Sequence, residues 1–290
     1  MLAFENYLRN NNYTESSILS YSNTINRFLK WLYKEVIEIH EVEYGDVINY
    51  IKTLQKKQLS QRTIQISVKT IHRFYAFLIY SKKYNKHNPA EKIKIHGIAK
   101  TQTLDVLGNK ELLSIYNNYS GSGLSFERNK CLLSLIIFQG IGTSELINLK
   151  VKHLDLDQGN IIIPKRERHN KRILNLSEEQ ISRFQYYLHN TRKAILDRKK
   201  INSELLFISN GSGNKMLNSI QSLIRLLKRS HPKIRNVNHL RASVISSWTK
   251  KYNLRKVQYL AGHRYISSTE NYELNDLDDL KNTIIGLHPF

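Results

Sequence analysis

Three short segments in the last third of the chain carry residues suited to chemistry on an anionic group. They are His239-Leu240-Arg241-Ala242-Ser243, Tyr259-Leu260-Ala261-Gly262-His263 and Thr269-Glu270-Asn271-Tyr272, with the tyrosine nine residues beyond His263. Arginine presents a planar, permanently charged fork that binds phosphoryl oxygens two at a time. An imidazole can donate a hydrogen bond to the same kind of oxygen, and a phenol belongs to the side chains that act as covalent nucleophiles. Taken singly, none of them is informative. Tyr272 is one of 17 tyrosines, most of which must be packing. Arg241 alone reads as a surface cation, and a histidine after a glycine is well placed to bond the last carbonyls of a helix. Only the ordered set has weight.

The whole chain supplies a fitting background. Its 290 residues hold 45 Lys+Arg against 24 Asp+Glu, a formal net charge of +21, which calls for a polyanionic partner, nucleic acid before membrane. One cysteine, Cys131, excludes a disulfide framework and a cysteine-based zinc site. No apolar run approaches a membrane span, and the first residues lack the layout of a signal peptide. The expectation is a cytoplasmic protein with no membrane association. There is no Gly-x-Gly-x-x-Gly or Walker loop, so nucleotide-dependent chemistry is not expected. A ribosomal protein or a regulator would share this composition, so the motifs must decide.

The elements that must position those motifs fall into two groups. The first hundred residues read as helices: Thr14 caps one carrying Ile18, Tyr21, Ile25, Phe28, Leu29 and Leu32, a shorter one surrounds Val47, Tyr50, Ile51 and Leu54, and Ser60 caps one carrying Ile64, Val68, Ile71, Phe74, Tyr75 and Leu78. Residues 51–100 hold twelve cations and a single acid, Glu91. From that cluster Lys56, Lys57, Arg62, Lys69 and Arg73 are the candidate phosphate contacts, because attraction to a charged backbone sums over cations. Asn88-Pro89 stops the helical pattern, and a basic, aperiodic stretch follows. We place a helical domain at residues 1–95, a linker at 96–103 and a second domain at 104–290. The second begins with a helix from about Lys110 and an apolar, buried one over 129–138 that takes Cys131 as core filler. A short helix follows over 144–149. Gly159-Asn160-Ile161-Ile162-Ile163 and Arg172-Ile173-Leu174-Asn175-Leu176 read as two strands joined by a basic turn. Helices resume near Ser177, over 219–228, over 238–250 and over 254–260, the last with Val257, Tyr259 and Leu260 in the core. The fold class is therefore mainly α with a small β-sheet.

The ordered motifs resemble the tyrosine recombinase family (phage integrase, Xer type). That family carries a His-x-Leu-Arg segment, a Leu-Gly-His segment and a nucleophilic tyrosine nine residues after the last histidine. Upstream, Gln139-Gly140-Ile141-Gly142-Thr143-Ser144-Glu145-Leu146 is similar to its Thr-Gly-Leu-Arg-x-Ser-Glu-Leu box, and the hairpin over 161–176 lies where it places a turn with a catalytic lysine. The resemblance implies a helical, SAM-like N-terminal core-binding domain and an α+β catalytic domain that together grip double-stranded DNA. Tyr272 would attack a phosphodiester to give a 3′-phosphotyrosine and free a 5′-hydroxyl, and a second strand's hydroxyl would reverse the step, with no cofactor or metal. Arg241 and His263 would hold the phosphoryl oxygens, Lys165 would be the general acid, and Glu145 would support the frame. A homotetramer on DNA, monomeric in free solution, is implied, with the C-terminal helix beginning at Leu274 docked on a neighbour.

Two positions depart from the pattern. The family's first arginine falls on Gly142, and its first histidine on Asn238, with His239 beside it; Asn238 reads equally as an N-cap. The hairpin lysine falls on Arg166 counted from one side and Glu167 from the other, so Lys165 is the nearest lysine and Lys171 the second. Arg166 and Arg168 join the candidate DNA contacts, and Arg128 or Arg168 is a candidate to replace the missing arginine. The alternative reading is a catalytically impaired relative serving as an accessory DNA-binding factor, and an RNA-binding helical protein is a third, resting on charge and tyrosines alone.

Overall fold

The computed structural model describes residues 1–97, 105–166, 169–211 and 215–272. The chain divides into two compact units, Met1–Lys100 and Thr101–Phe290.

The first unit consists of four helices, α1 (Leu2–Asn10), α2 (Glu15–Lys34), α3 (Tyr44–Lys56) and α4 (Gln61–Tyr80). Thr14 and Ser60 cap α2 and α4 as expected, each accepting from a backbone N–H three residues on, at 3.2 Å. The apolar faces of these helices meet in one core built around Phe4, Ile25, Phe28, Val47, Ile64, Ile71 and Tyr75. Lys56, Lys57, Arg62 and Lys69 point into solvent. Arg73 is half-buried, its guanidinium 4.8 Å and 5.0 Å from the ring centres of Tyr13 and Tyr21.

The second unit opens with α5 (Asn109–Asn118), α6 (Leu124–Gln139) and the single turn α7 (Thr143–Leu146). A three-stranded antiparallel sheet follows in the order β1 (Leu154–Asp155), β2 (Asn160–Ile163), β3 (Arg172–Asn175). The hairpin pairs Ile161 with Leu174 and Ile163 with Arg172. Then come α8 (Glu178–Tyr186), a π-helical turn (Tyr187–Arg192), α9 (Lys193–Lys199), α10 (Met216–Ser230), α11 (Val237–Thr249) and α12 (Leu254–Ala261). From Arg128 onward α6 is buried on almost every side, polar residues included, and it carries the middle of the core, with Cys131 buried in it.

Several local expectations need correction. Asn236, not Asn238, caps α11, accepting from the His239 N–H at 2.9 Å. Tyr259 is half-exposed rather than core, because it leans over the edge of β3, where its hydroxyl accepts from the Ile173 N–H at 3.0 Å. The segment from Leu274, Arg168 and most of the linker lie outside the described residues. Among the described residues, no helix is long and apolar enough to cross a membrane.

Candidate active site

Glu145 is the hub of the site. The turn α7 carries it into the interior, where it is buried. Its carboxylate accepts both arms of the Arg172 guanidinium at 2.7 and 3.1 Å, the Gly142 N–H at 3.0 Å and Arg241 at 3.4 Å. Burial alone would raise its pKa. Arg172 first, then Arg241 and the Gly142 N–H, reverse that and hold it down at about 2.

Arg241 sits on the first turns of α11 and is buried. Besides Glu145, its fork donates to the carbonyls of Gly140 and, at 2.5 Å, of Ala261. It thereby ties the α6–α7 connection to the end of α12. Gly262 follows in the left-handed region, φ +68°, and caps α12. A Cβ there would collide with the Arg172 guanidinium, so only glycine satisfies both the turn and the packing. Gly262 in turn delivers His263. That imidazole shares a 2.9 Å hydrogen bond between Nδ1 and the Thr269 hydroxyl. Burial, and after it the charge of Arg241, lowers its pKa to about 4, so the ring is neutral near pH 7.

Tyr272 stacks on His263, with ring centres 5.9 Å apart and planes 11° from parallel. It packs against the small cluster of Ile245, Val257 and Ala261. Burial raises its phenol pKa, and Arg241 opposes that. The arginine, the histidine and the tyrosine of the three motifs therefore meet within one chain.

A pocket of about 300 Å³ opens beside Arg241, lined by Gly142, Thr143, Ser144, Glu145, His169, Asn238 and Arg241 but by neither His263 nor Tyr272. Gly142 and Asn238 thus share a wall with Arg241. Asn238 is exposed at the mouth, whereas His239 is buried and donates from Nε2 to the Asp105 carbonyl at 2.5 Å. Lys165 and Lys171 are exposed on the hairpin and neither lines the pocket. Arg166 donates to the Ser144 carbonyl. Arg128 does not take the missing arginine's place: it is buried and bonded to Asn129 and, at 3.1 Å, to the Ile208 carbonyl.

The sequence reading missed Arg172, His169 and Thr269. Arg172 had a signal: strand alternation puts it on the same face as Leu174 and Leu176, and a cation on a core face demands a buried acid. His169 and Thr269 had none. Among the described residues, no group of three or more His, Cys, Asp or Glu side chains could hold a metal ion.

Comparison with known proteins settles the family. Residues 105–277 match the phage integrase family, and residues 2–82 match the phage integrase N-terminal SAM-like domain. The chain belongs to the phage integrase family. Relatives that match nearly the whole chain are named tyrosine recombinases. The chain is 26% identical over 282 residues to tyrosine recombinase XerC of Bacillus licheniformis, covering 96% of this chain and 92% of that one. It is 24% identical to XerC of Bacillus subtilis, covering 99% and 95%. Among solved structures, XerH bound to difH in a pre-cleavage complex aligns with a TM-score of 0.70 at 20% identity, over 90% of this chain and 78% of that one. A lambda integrase dimer bound to a COC′ core site gives 0.65 at 12% identity, over 93% and 92%. These last two share the fold: a helical SAM-like domain followed by a mainly helical integrase domain with a small sheet.

Proposed function

We propose that this phage integrase family member is a site-specific DNA recombinase that cuts and rejoins double-stranded DNA through Tyr272. One observation carries the assignment of residues: Tyr272 stacks on His263 and lies within electrostatic reach of Arg241 in the same protomer. In the reaction, the Tyr272 oxygen bonds to phosphorus while the bond from phosphorus to the 5′-oxygen breaks. The phenol gives up one proton and the departing 5′-oxygen takes one, so the bond energy is kept in the phosphotyrosine for rejoining. Arg241 and His263 hold the non-bridging oxygens. Arg241 is fixed in place before substrate arrives, by Glu145 and two carbonyls, which is what electrostatic stabilisation of a transition state requires. Lys165 is the donor of the proton to the 5′-oxygen, reaching in from the hairpin. Lys56, Lys57, Arg62, Lys69, Arg73, Arg166 and Arg168 contribute phosphate contacts, and the working assembly on DNA is a homotetramer of a chain that is monomeric in solution.

The test is covalent trapping. Wild type and Tyr272→Phe are incubated with a nicked duplex taken from a random-sequence pool by its binding to the Tyr272→Phe protein. A protein–DNA adduct formed by wild type and absent from the variant is expected. Binding without an adduct from wild type overturns the reading in favour of a DNA-binding protein that does not cut.

A further inference from the structure

The pocket beside Arg241 is short of donors where a recombining phosphate needs them. Position 142 has no side chain, and position 238 offers an amide. Of the other side chains on its wall, the Thr143 and Ser144 hydroxyls and the His169 imidazole can donate, and His169 is the one with a buried nitrogen left unpaired.

The hairpin holds His169 firmly. Its backbone pairs with Arg166, with N–H to carbonyl distances of 2.9 and 3.2 Å in the two directions, and bridges to His263. The next residue, Asn170, donates from its backbone N–H to the Gly262 carbonyl at 2.9 Å and from its side chain to the His263 carbonyl at 3.3 Å. The backbone of His169 is thus fixed against the same Gly262-His263 corner that delivers His263. Its Nδ1 is buried and has no hydrogen-bond partner. Buried polar atoms left unpaired are rare in folded proteins and recur where a ligand completes the bond. Burial lowers the pKa of this ring, with Arg241 and Arg172 acting in the same sense and Glu145 and a hydrogen bond to the Gly262 backbone against it. The ring is therefore neutral near pH 7 and carries one N–H, which the Nδ1–H tautomer presents to a phosphate oxygen.

We propose that His169 is a further catalytic residue, donating from Nδ1 to a non-bridging oxygen of the scissile phosphate in the place left open by Gly142 and Asn238. The proposal rests on the Tyr272 reaction proposed above. It adds a hydrogen bond and no proton transfer, so the balance of that step is unchanged.

The experiment compares wild type, His169→Leu and His169→Asn on the selected nicked duplex, after thermal melting has shown all three folded and gel shift has shown equal DNA binding. Leucine keeps the bulk and removes the donor; asparagine sets an amide N–H near the Nδ1 position. The adduct rate of His169→Leu should fall about a hundred- to a thousandfold, and His169→Asn should keep most of it. The cause is read from modified DNA. When a methyl group replaces one non-bridging oxygen, the charge to be held is removed, and the gap between wild type and His169→Leu should close. When sulfur replaces the bridging 5′-oxygen, the leaving group needs no proton, and the gap should remain. The proposal is overturned if both folded variants match wild type, if asparagine is as poor as leucine, if the methyl substitution leaves the gap unchanged, or if bridging sulfur closes it. Failure of the underlying reading looks different: wild type itself then forms no adduct on any of the three DNAs.

Discussion

Arg172 and Glu145 form a fork-to-fork ion pair inside the protein, with both side chains essentially without solvent contact. Removing one member of a buried pair leaves the other charge uncompensated and costs about 3–5 kcal/mol. Arg172→Met should therefore lower unfolding free energy by roughly that amount in urea. The pair also sets an acid limit. Because the Glu145 pKa lies at about 2 in the folded chain against 4.5 ordinarily, its stabilisation is fully present above pH 4.5 and is lost as pH falls toward 2. Glu145→Gln should remove that part of the slope in acid titrations followed by circular dichroism.

His263 behaves in the opposite chemical sense with the same direction of outcome. Burial first, then Arg241, brings its pKa to about 4 from 6.5. The unfolded chain takes up this proton more readily, so stability is full above pH 6.5 and declines as pH falls to about 4. NMR titration should show this ring still neutral at pH 5. A midpoint near 6.5 would mean that the imidazole is solvated and not packed under Tyr272.

Much of this was legible in advance, and most of what was not depends on contacts between residues far apart in the chain. Spacing located α2 and α4 because their cores are one-sided, and residues such as Ile64, Val68 and Ile71 repeat at helical intervals. The Arg241, His263 and Tyr272 motifs are local strings, so they were readable before their meeting was visible. Arg172 was not read as buried, since its partner Glu145 lies 27 residues away on another element. Lys165 was chosen by its place in the string, while the pocket wall belongs to His169, four residues on, because the hairpin folds back onto Gly262. Asn236 displaced Asn238 as the cap by one short step of helix phase.

Affinity for DNA should be dominated by phosphates and fall steeply with salt, on the order of a thousandfold or more between 50 and 200 mM if six or more contacts form. Lys69 and Arg73 separate charge from structure here. Lys69 is exposed, so Lys69→Ala should reduce the salt slope by about one counterion and leave stability unchanged. Arg73 sits over the rings of Tyr13 and Tyr21, so Arg73→Ala should also destabilise the helical unit, by about 0.5–2 kcal/mol. Equal melting temperatures for the two variants would show that the ring contacts contribute nothing.

Gly142→Arg asks how the site copes without its first arginine. Gly142 has an extended backbone, φ −83°, and a Cβ there would meet only Glu145 Oε2 at 3.7 Å and Arg241 Cδ at 3.8 Å, ordinary contacts. An arginine can therefore be built without strain, and its charge enters a pocket that already holds the Glu145 carboxylate. If His169 supplies the missing donor, the two side chains do the same work and their effects are not additive. Gly142→Arg should then raise the adduct rate of His169→Leu by a larger factor than it raises that of wild type. Equal factors in the two backgrounds, measured as single-turnover adduct formation, would place the two residues in separate roles.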